Sequence, residues 1–202
     1  MDSVRIVEQL GFALRSRTRP AWAPLAVDHL DDFLRDHAAA ERKVHGSCLM
    51  MVARYQDRAV LVESMLELAR EELQHFTEMV AILHGRGLRL ANDVKDPYIQ
   101  ALQEFVRPES EGRLMDRLLL CSAIEARGCE RFGLIGEELA RRKDPLAAYY
   151  KDLSLTEARH YGAYLRVAKT YFPAEVVDER MAEWMELEGR VQLSLPVRPC
   201  LH

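Results

Sequence analysis

Two Glu-x-x-His pairs, Glu72-x-x-His75 and Glu157-x-x-His160, are the residues best placed to do chemistry. A Glu and a His three residues apart project from one face of a helix, so both can reach a single ion. Each pair is preceded by a lone acid: Glu41 lies 31 residues before Glu72, and Glu125 lies 32 before Glu157. All six fall inside apolar stripes, at positions where a helical period demands core. Burying an unpaired carboxylate is costly, and four facing one interior would take up protons unless cations balanced them. Two divalent ions carry four positive charges against Glu41, Glu72, Glu125 and Glu157, leaving His75 and His160 as neutral nitrogen ligands. The expected chemistry is that of a carboxylate-bridged pair of metal ions, iron first and manganese as the other metal such ligands accept.

The elements that must position these residues are helices. Apolar residues recur at three- and four-residue steps over long segments, and no β-branched alternation between turns competes with them. Four long helices are expected. The first runs from about Val27 to Tyr55, with the stripe Leu30, Leu34, His37, Glu41, Val44, Cys48, Met51, Tyr55. The second spans about Ala59 to His84 and ends in Gly85 and Gly87. The third covers about Gly112 to Ala140 and stops at the charged turn Arg141-Arg142-Lys143-Asp144; the fourth begins at Pro145 and closes before Pro173. Short turns within each pair imply two antiparallel hairpins, and the stretch from Gly87 to Gly112, with a short helix near Tyr98 to Val106, suits a crossover. Further helices are expected over Val4 to Arg15 and Pro173 to Gln192. One Glu from each of two helices and Glu-x-x-His from each of the other two is the ligand pattern of ferritin-like carboxylate proteins. The sequence therefore predicts an all-α ferritin-like four-helix bundle, one domain over 1–202 with its core at about 27–171, and the two hairpins form an internal repeat.

Composition agrees with a helix-rich globular chain, 49% apolar and 30% charged. No run of about eighteen apolar residues occurs and the N-terminus lacks a basic segment followed by an apolar core, so a cytoplasmic location without membrane contact is the expectation. Four cysteines (Cys48, Cys121, Cys129, Cys200) form no C-x-x-C pair, which argues against a rubredoxin-like or zinc-ribbon module. Around the ligands, His37 lies one turn before Glu41, where it could be a supporting partner or a satisfied core histidine. His29 and His45 read as surface or partner-facing groups. Cys121, Cys129 and Phe132 flank Glu125 as core filler or pocket lining, and Tyr149, Tyr161 and Tyr164 lie near the second Glu-x-x-His as packing or redox-active groups.

A more specific resemblance rests on Leu114-Met115-Asp116-Arg117-Leu118-Leu119, on Ile124-Glu125-Ala126-Arg127-Gly128-Cys129-Glu130-Arg131-Phe132 and on Glu157-Ala158-Arg159-His160-Tyr161. With Arg70-Glu71-Glu72-Leu73-Gln74-His75-Phe76 and Ala40-Glu41-Arg42-Lys43, these resemble the tRNA hydroxylases that act on 2-methylthio-N6-isopentenyladenosine, over nearly the whole chain. The resemblance implies an O2-dependent di-iron monooxygenase that hydroxylates the isopentenyl group of that nucleoside beside the anticodon. It places Glu41, Glu72, His75, Glu125, Glu157 and His160 at the family's ligand positions. It also implies electrons from a separate reductase and carrier, since the sequence holds no flavin fingerprint, iron–sulfur cysteine pattern or Rossmann glycine motif. The other ring nitrogens of the ligand histidines are expected to donate to acids such as Asp116 or Asp152.

A tRNA partner needs local cationic surface despite a formal charge of −4. Arg15, Arg17 and Arg19, Arg86 and Arg89, and Arg141, Arg142 and Lys143 are the candidates. The alternative is a ferritin-like iron oxidase or peroxide scavenger with no RNA substrate, which the same six ligands would serve.

Overall fold

The computed structural model describes residues 14–92 and 94–202, with nothing said of the Ser110 side chain. Among the described residues there are seven helices and no strand: α1 Trp22–Asp28, α2 Leu30–Arg54, α3 Ala59–Gly85, α4 Pro97–Gln103, α5 Ser110–Arg141, α6 Ala147–Tyr171 and α7 Ala174–Ser194. The helix expected over Val4 to Arg15 lies outside them, save for Leu14 and Arg15, which are not helical. The first long helix does not run from Val27. The chain forms α1, breaks at His29 (φ −115°, ψ 43°) and restarts, with the His29 carbonyl accepting the Asp32 and Phe33 amides. Pro24 sits inside the first turn of α1, where its missing N–H costs nothing.

The chain divides into two compact units. The first to be considered, residues 28–94 with 199–201, is built on the α2–α3 hairpin. Phe33, Leu34, Ala38, Cys48 and Met51 of α2 and Leu61, Met65, Leu68, Met79 and Leu83 of α3 are buried, at the three- and four-residue steps the sequence predicts. His45, expected at the surface or facing a partner, is half-buried and bonds across the hairpin from Nδ1 to the Ala69 carbonyl at 2.8 Å. At the end of α3, Leu88 N–H reaches the Leu83 carbonyl (2.8 Å) and Gly87 N–H the His84 carbonyl (3.0 Å). That closure needs a left-handed residue, which Gly87 supplies at φ 71°.

The second unit, residues 1–27, 95–198 and 202, centres on the α5–α6 hairpin. Ser122 Oγ donates to the Tyr161 carbonyl (3.0 Å) and Ser154 Oγ to the Cys129 carbonyl (2.8 Å), while a Cβ placed on Gly136 would lie 3.3 Å from the Ala147 carbonyl oxygen. Positions 122, 129 and 136 step by seven along α5, and 161, 154 and 147 step back by seven along α6. The two backbones therefore approach closely once every two turns, in antiparallel register, through small side chains. The helix α5 ends in the same closure as α3, with Asp144 N–H on Leu139 O and Lys143 N–H on Ala140 O, but Lys143 stands at the left-handed position (φ 60°). Asp144 then accepts the Leu146 amide, so α6 starts at Ala147 rather than at Pro145.

Helix α4 begins where Asp96 Oδ1 accepts the Tyr98 amide (2.8 Å), with Pro97 in its first turn. Helix α7 buries Val177, Met181, Trp184 and Met185. No helix among the described residues is long and apolar enough to cross a membrane.

Candidate metal centre

In the α2–α3 unit, helical spacing places Glu41 on the buried face of α2, and Glu72 and His75 on that of α3. Their exposures are 4%, 2% and 8%. His75 Nδ1 lies 3.5 Å from Glu41 Oε2 and 3.6 Å from Glu72 Oε2. In the α5–α6 unit, Glu125, Glu157 and His160 are buried, and each offers a donor atom within 4.8 Å of the others. His160 Nδ1 is 3.1 Å from Glu157 Oε2. The six sequence-predicted residues thus form two triads, one in each unit.

These separations fit metal ligation. Divalent transition ions hold nitrogen and oxygen ligands at about 2.1 Å, so two ligands at a right angle lie about 3.0 Å apart and wider-set ones further. The imidazole–carboxylate distances of 3.1, 3.5 and 3.6 Å fall in that range. Each triad combines two carboxylates with one imidazole, a donor set suited to iron or manganese.

Other expectations fare differently. His37 is fully buried and its Nε2 lies 2.5 Å from Glu41 Oε1, a contact that both of its expected roles accommodate. Asp116 does not serve a ligand histidine: its carboxylate is held by Arg107 (2.9 Å), Arg180 (2.8 Å) and Trp184 Nε1. Burial works against its ionised form, but the Arg180 and Arg107 hydrogen bonds outweigh it and keep the carboxyl below the ordinary range. Asp152 is exposed, which removes the other suggested partner. Cys129 is buried against Ser154 (3.6 Å), and burial pushes its thiol up to about 12, so it fills space as a neutral thiol. Tyr164 is fully buried, and Tyr149 packs edge-on against Tyr150, which in turn tilts against Phe132. Burial, then Asp178, raises the Tyr161 hydroxyl above its usual value.

Of the cationic candidates, Arg86 pairs with Asp31 (2.8 Å), Arg15 with Glu186 (3.0 Å), and both Arg141 and Arg142 with Glu138. Arg19 donates to the Leu193 carbonyl.

Sequence reasoning missed a buried ionic network behind the triad of the α5–α6 unit. Arg127, with no exposure, donates through Nε and Nη2 to both oxygens of buried Glu188 (2.7 Å each) and also to Glu130. Glu188 in turn accepts from Tyr98 Oη (3.0 Å), and Glu130 takes the Thr18 amide and hydroxyl. Arg131 lies 5.0 Å over the Trp22 ring, and burial, with Arg127 beside it, pushes its guanidinium down to about 10. The hint was the pair Arg127 and Glu130 at i, i+3 among residues that the helical period buries, but Glu188 lies 61 residues away and no local pattern links it.

The sequence was compared with known proteins. The family model described as tRNA-(MS[2]IO[6]A)-hydroxylase (MiaE) matches residues 5–202. A relative from Pseudomonas putida named tRNA 2-(methylsulfanyl)-N(6)-isopentenyladenosine(37) hydroxylase is 32% identical over 166 residues, 82% of this chain and 80% of that one. One of the same name from Salmonella typhimurium is 31% identical over 66% of this chain, a span that makes up 48% of that longer protein. Among solved structures, a Synechococcus protein described as having aldehyde deformylating oxygenase activity superposes with a TM-score of 0.86 at 33% identity, covering 94% of each chain. The all-α ferritin-like fold expected from the sequence is the fold observed, and by a family match spanning nearly its whole length the chain belongs to the MiaE family of tRNA hydroxylases.

Proposed function

We propose that the protein is an O2-dependent, non-haem di-iron monooxygenase that hydroxylates the isopentenyl group of 2-methylthio-N6-isopentenyladenosine in tRNA, beside the anticodon. The observation that carries this reading is the pair of buried Glu/Glu/His triads in a chain whose relatives at 32% and 31% identity are named for that reaction. We further propose that Glu41, Glu72, His75, Glu125, Glu157 and His160 are the ligands of the two ions and that iron is the metal. A di-iron pair, when bound, activates O2 for insertion of one oxygen atom into an unreactive C–H bond.

The chain's own residues supply three things. The four carboxylates would balance the charge of two divalent ions away from water, which supports reading these residues as a cation site. The two imidazoles contribute uncharged donors. Phe132, Leu68 and Met65 are buried on the same helices as the proposed ligands, and apolar neighbours of this kind would limit the loss of oxidising equivalents to solvent.

Inserting one atom of O2 into a C–H bond makes alcohol and water, and this balance consumes two electrons and two protons. A separate reductase and carrier would deliver the electrons. The nucleoside must leave its stack to present the prenyl chain, as for other enzymes that act on a base. Phosphate contacts from Arg17, Arg19, Arg89 and Lys143 would be weakened by salt.

The deciding measurement is nucleoside analysis of tRNA from cells lacking this gene. The prenylated nucleoside should accumulate and its hydroxylated form vanish; persistence of the hydroxylated form would overturn the assignment. The alternative, an iron oxidase or peroxide scavenger without RNA, has no observation in its favour among the relatives.

A further inference from the structure

The two hairpins repeat one another, but they differ one turn before the lone acid of each. Four residues ahead of Glu41 stands His37, and four ahead of Glu125 stands Cys121. His37 has no exposed surface, and it packs beside Phe33 with ring centroids 6.2 Å apart. Its Nε2 faces Glu41 Oε1 at 2.5 Å, while Glu41 Oε2 faces His75 Nδ1 at 3.5 Å. The two oxygens of one carboxylate are therefore divided between two imidazoles of different role.

His37 Nε2 is within hydrogen-bond reach of Glu41 Oε1, the oxygen other than the one that faces His75. A donor on one oxygen fixes the rotation of the carboxylate and leaves the other oxygen directed at the ion. Groups of this kind set the affinity of metal ligands they touch.

We infer that His37 is a positioning residue for Glu41, and that it makes the two halves of the metal centre unequal, with an imidazole-supported acid in the α2–α3 unit and a thiol at the matching place in the α5–α6 unit. This inference rests on the proposed ligand set. An imidazole N–H on Glu41 holds that carboxylate pre-aimed before metal arrives, so its half of the site should load first.

The test is a titration of the full-length apo-protein with cobalt(II), followed by its visible d–d absorption, together with thermal unfolding of each apo-protein. Wild type should take two ions per chain in two distinguishable steps. His37→Phe, which keeps ring bulk and removes the hydrogen bond, should weaken one step by about ten- to a hundredfold and merge the two spectra. His37→Gln, which retains a donor amide, should stay within about threefold of wild type, as should Cys121→Ala. If His37→Phe does not fold, His37→Asn, whose amide is too short to reach Glu41, takes its place.

A His37→Phe protein, or its Asn substitute, that binds both ions as wild type does would overturn the inference while leaving the ligand assignment intact. Wild-type protein that takes up no cobalt would overturn the ligand assignment itself.

Discussion

Glu125 and His160 sit at 5% and 2% exposure, so each is solvated by its neighbours and whatever they bind rather than by water. Removing one donor leaves the remaining carboxylates of its triad with one contact fewer to a cation and no water to compensate. On the proposed ligand set, Glu125→Ala or His160→Ala should lower iron from two per chain to one or fewer, as read by metal analysis of protein purified from iron-supplied cells. The burial of all six candidate residues was legible in the sequence because an acid or imidazole in an apolar helical stripe breaks a local rule, and the break repeats in two hairpins. Arg127 was not legible in the same way. Its partner Glu188 is joined to it only by the packing of α7 on α5, so nothing within a few residues marks it as an ion pair rather than a surface charge. Glu188→Leu should cost about 3–5 kcal/mol in urea unfolding, since it takes one of two carboxylate partners from a fully buried guanidinium.

At the scale of elements, the α5–α6 hairpin depends on backbones that nearly touch. A methyl added at Gly136 would lie 2.9 Å from Lys151 Cγ, 3.2 Å from its backbone nitrogen and 3.3 Å from the Ala147 carbonyl oxygen. The lysine chain can move, but the backbone atoms cannot without parting the helices. Gly136→Ala should destabilise by about 1–3 kcal/mol. Gly128→Ala on the same helix is the control: its methyl meets only Phe132 at 3.9 Å and Glu157 at 4.0 Å, ordinary contacts, so the gain in helix propensity of up to about 1 kcal/mol should show in denaturant unfolding. Both glycines look alike in sequence, and only the register of 122, 129 and 136 against 161, 154 and 147 separates them. The end of α5 offers a change of opposite sign. Lys143 holds a left-handed conformation that Gly87 adopts freely at the equivalent closure, so Lys143→Gly should raise stability by up to about 1 kcal/mol. The charged turn marked the stop correctly, while the closure geometry behind it was invisible because no glycine announces it.

For the molecule as a whole, the sequence set the order and lengths of the long helices to within a few residues, and it failed where short-range geometry decides, at the break on His29 and the start of α1. Acid stability follows from particular partners. Asp116 has a carboxyl held below its ordinary range by Arg180 and Arg107 against the opposing effect of burial, so it binds protons less readily folded than unfolded. Its contribution is present above the ordinary aspartate pKa near 3.8 and is lost as pH falls through the lower folded value. Asp116→Asn should lower stability at neutral pH and flatten the loss of stability below about pH 4, measured by urea unfolding across pH.

Both tryptophans of the chain, Trp22 and Trp184, are buried, and both fall in the unit that contains α5 and α6; the α2–α3 unit has none. Indole emission is thus a reporter with an address. It follows one compact unit and is blind to the other, whereas far-ultraviolet circular dichroism counts helix from both. Denaturation curves recorded by the two signals should superimpose if the units unfold as one cooperative block, and a dichroism change that runs ahead of the fluorescence would identify α2–α3 as the part that opens first. Repeating the pair of curves with and without added iron would then show which of the two signals the metal shifts, using no label and no substrate.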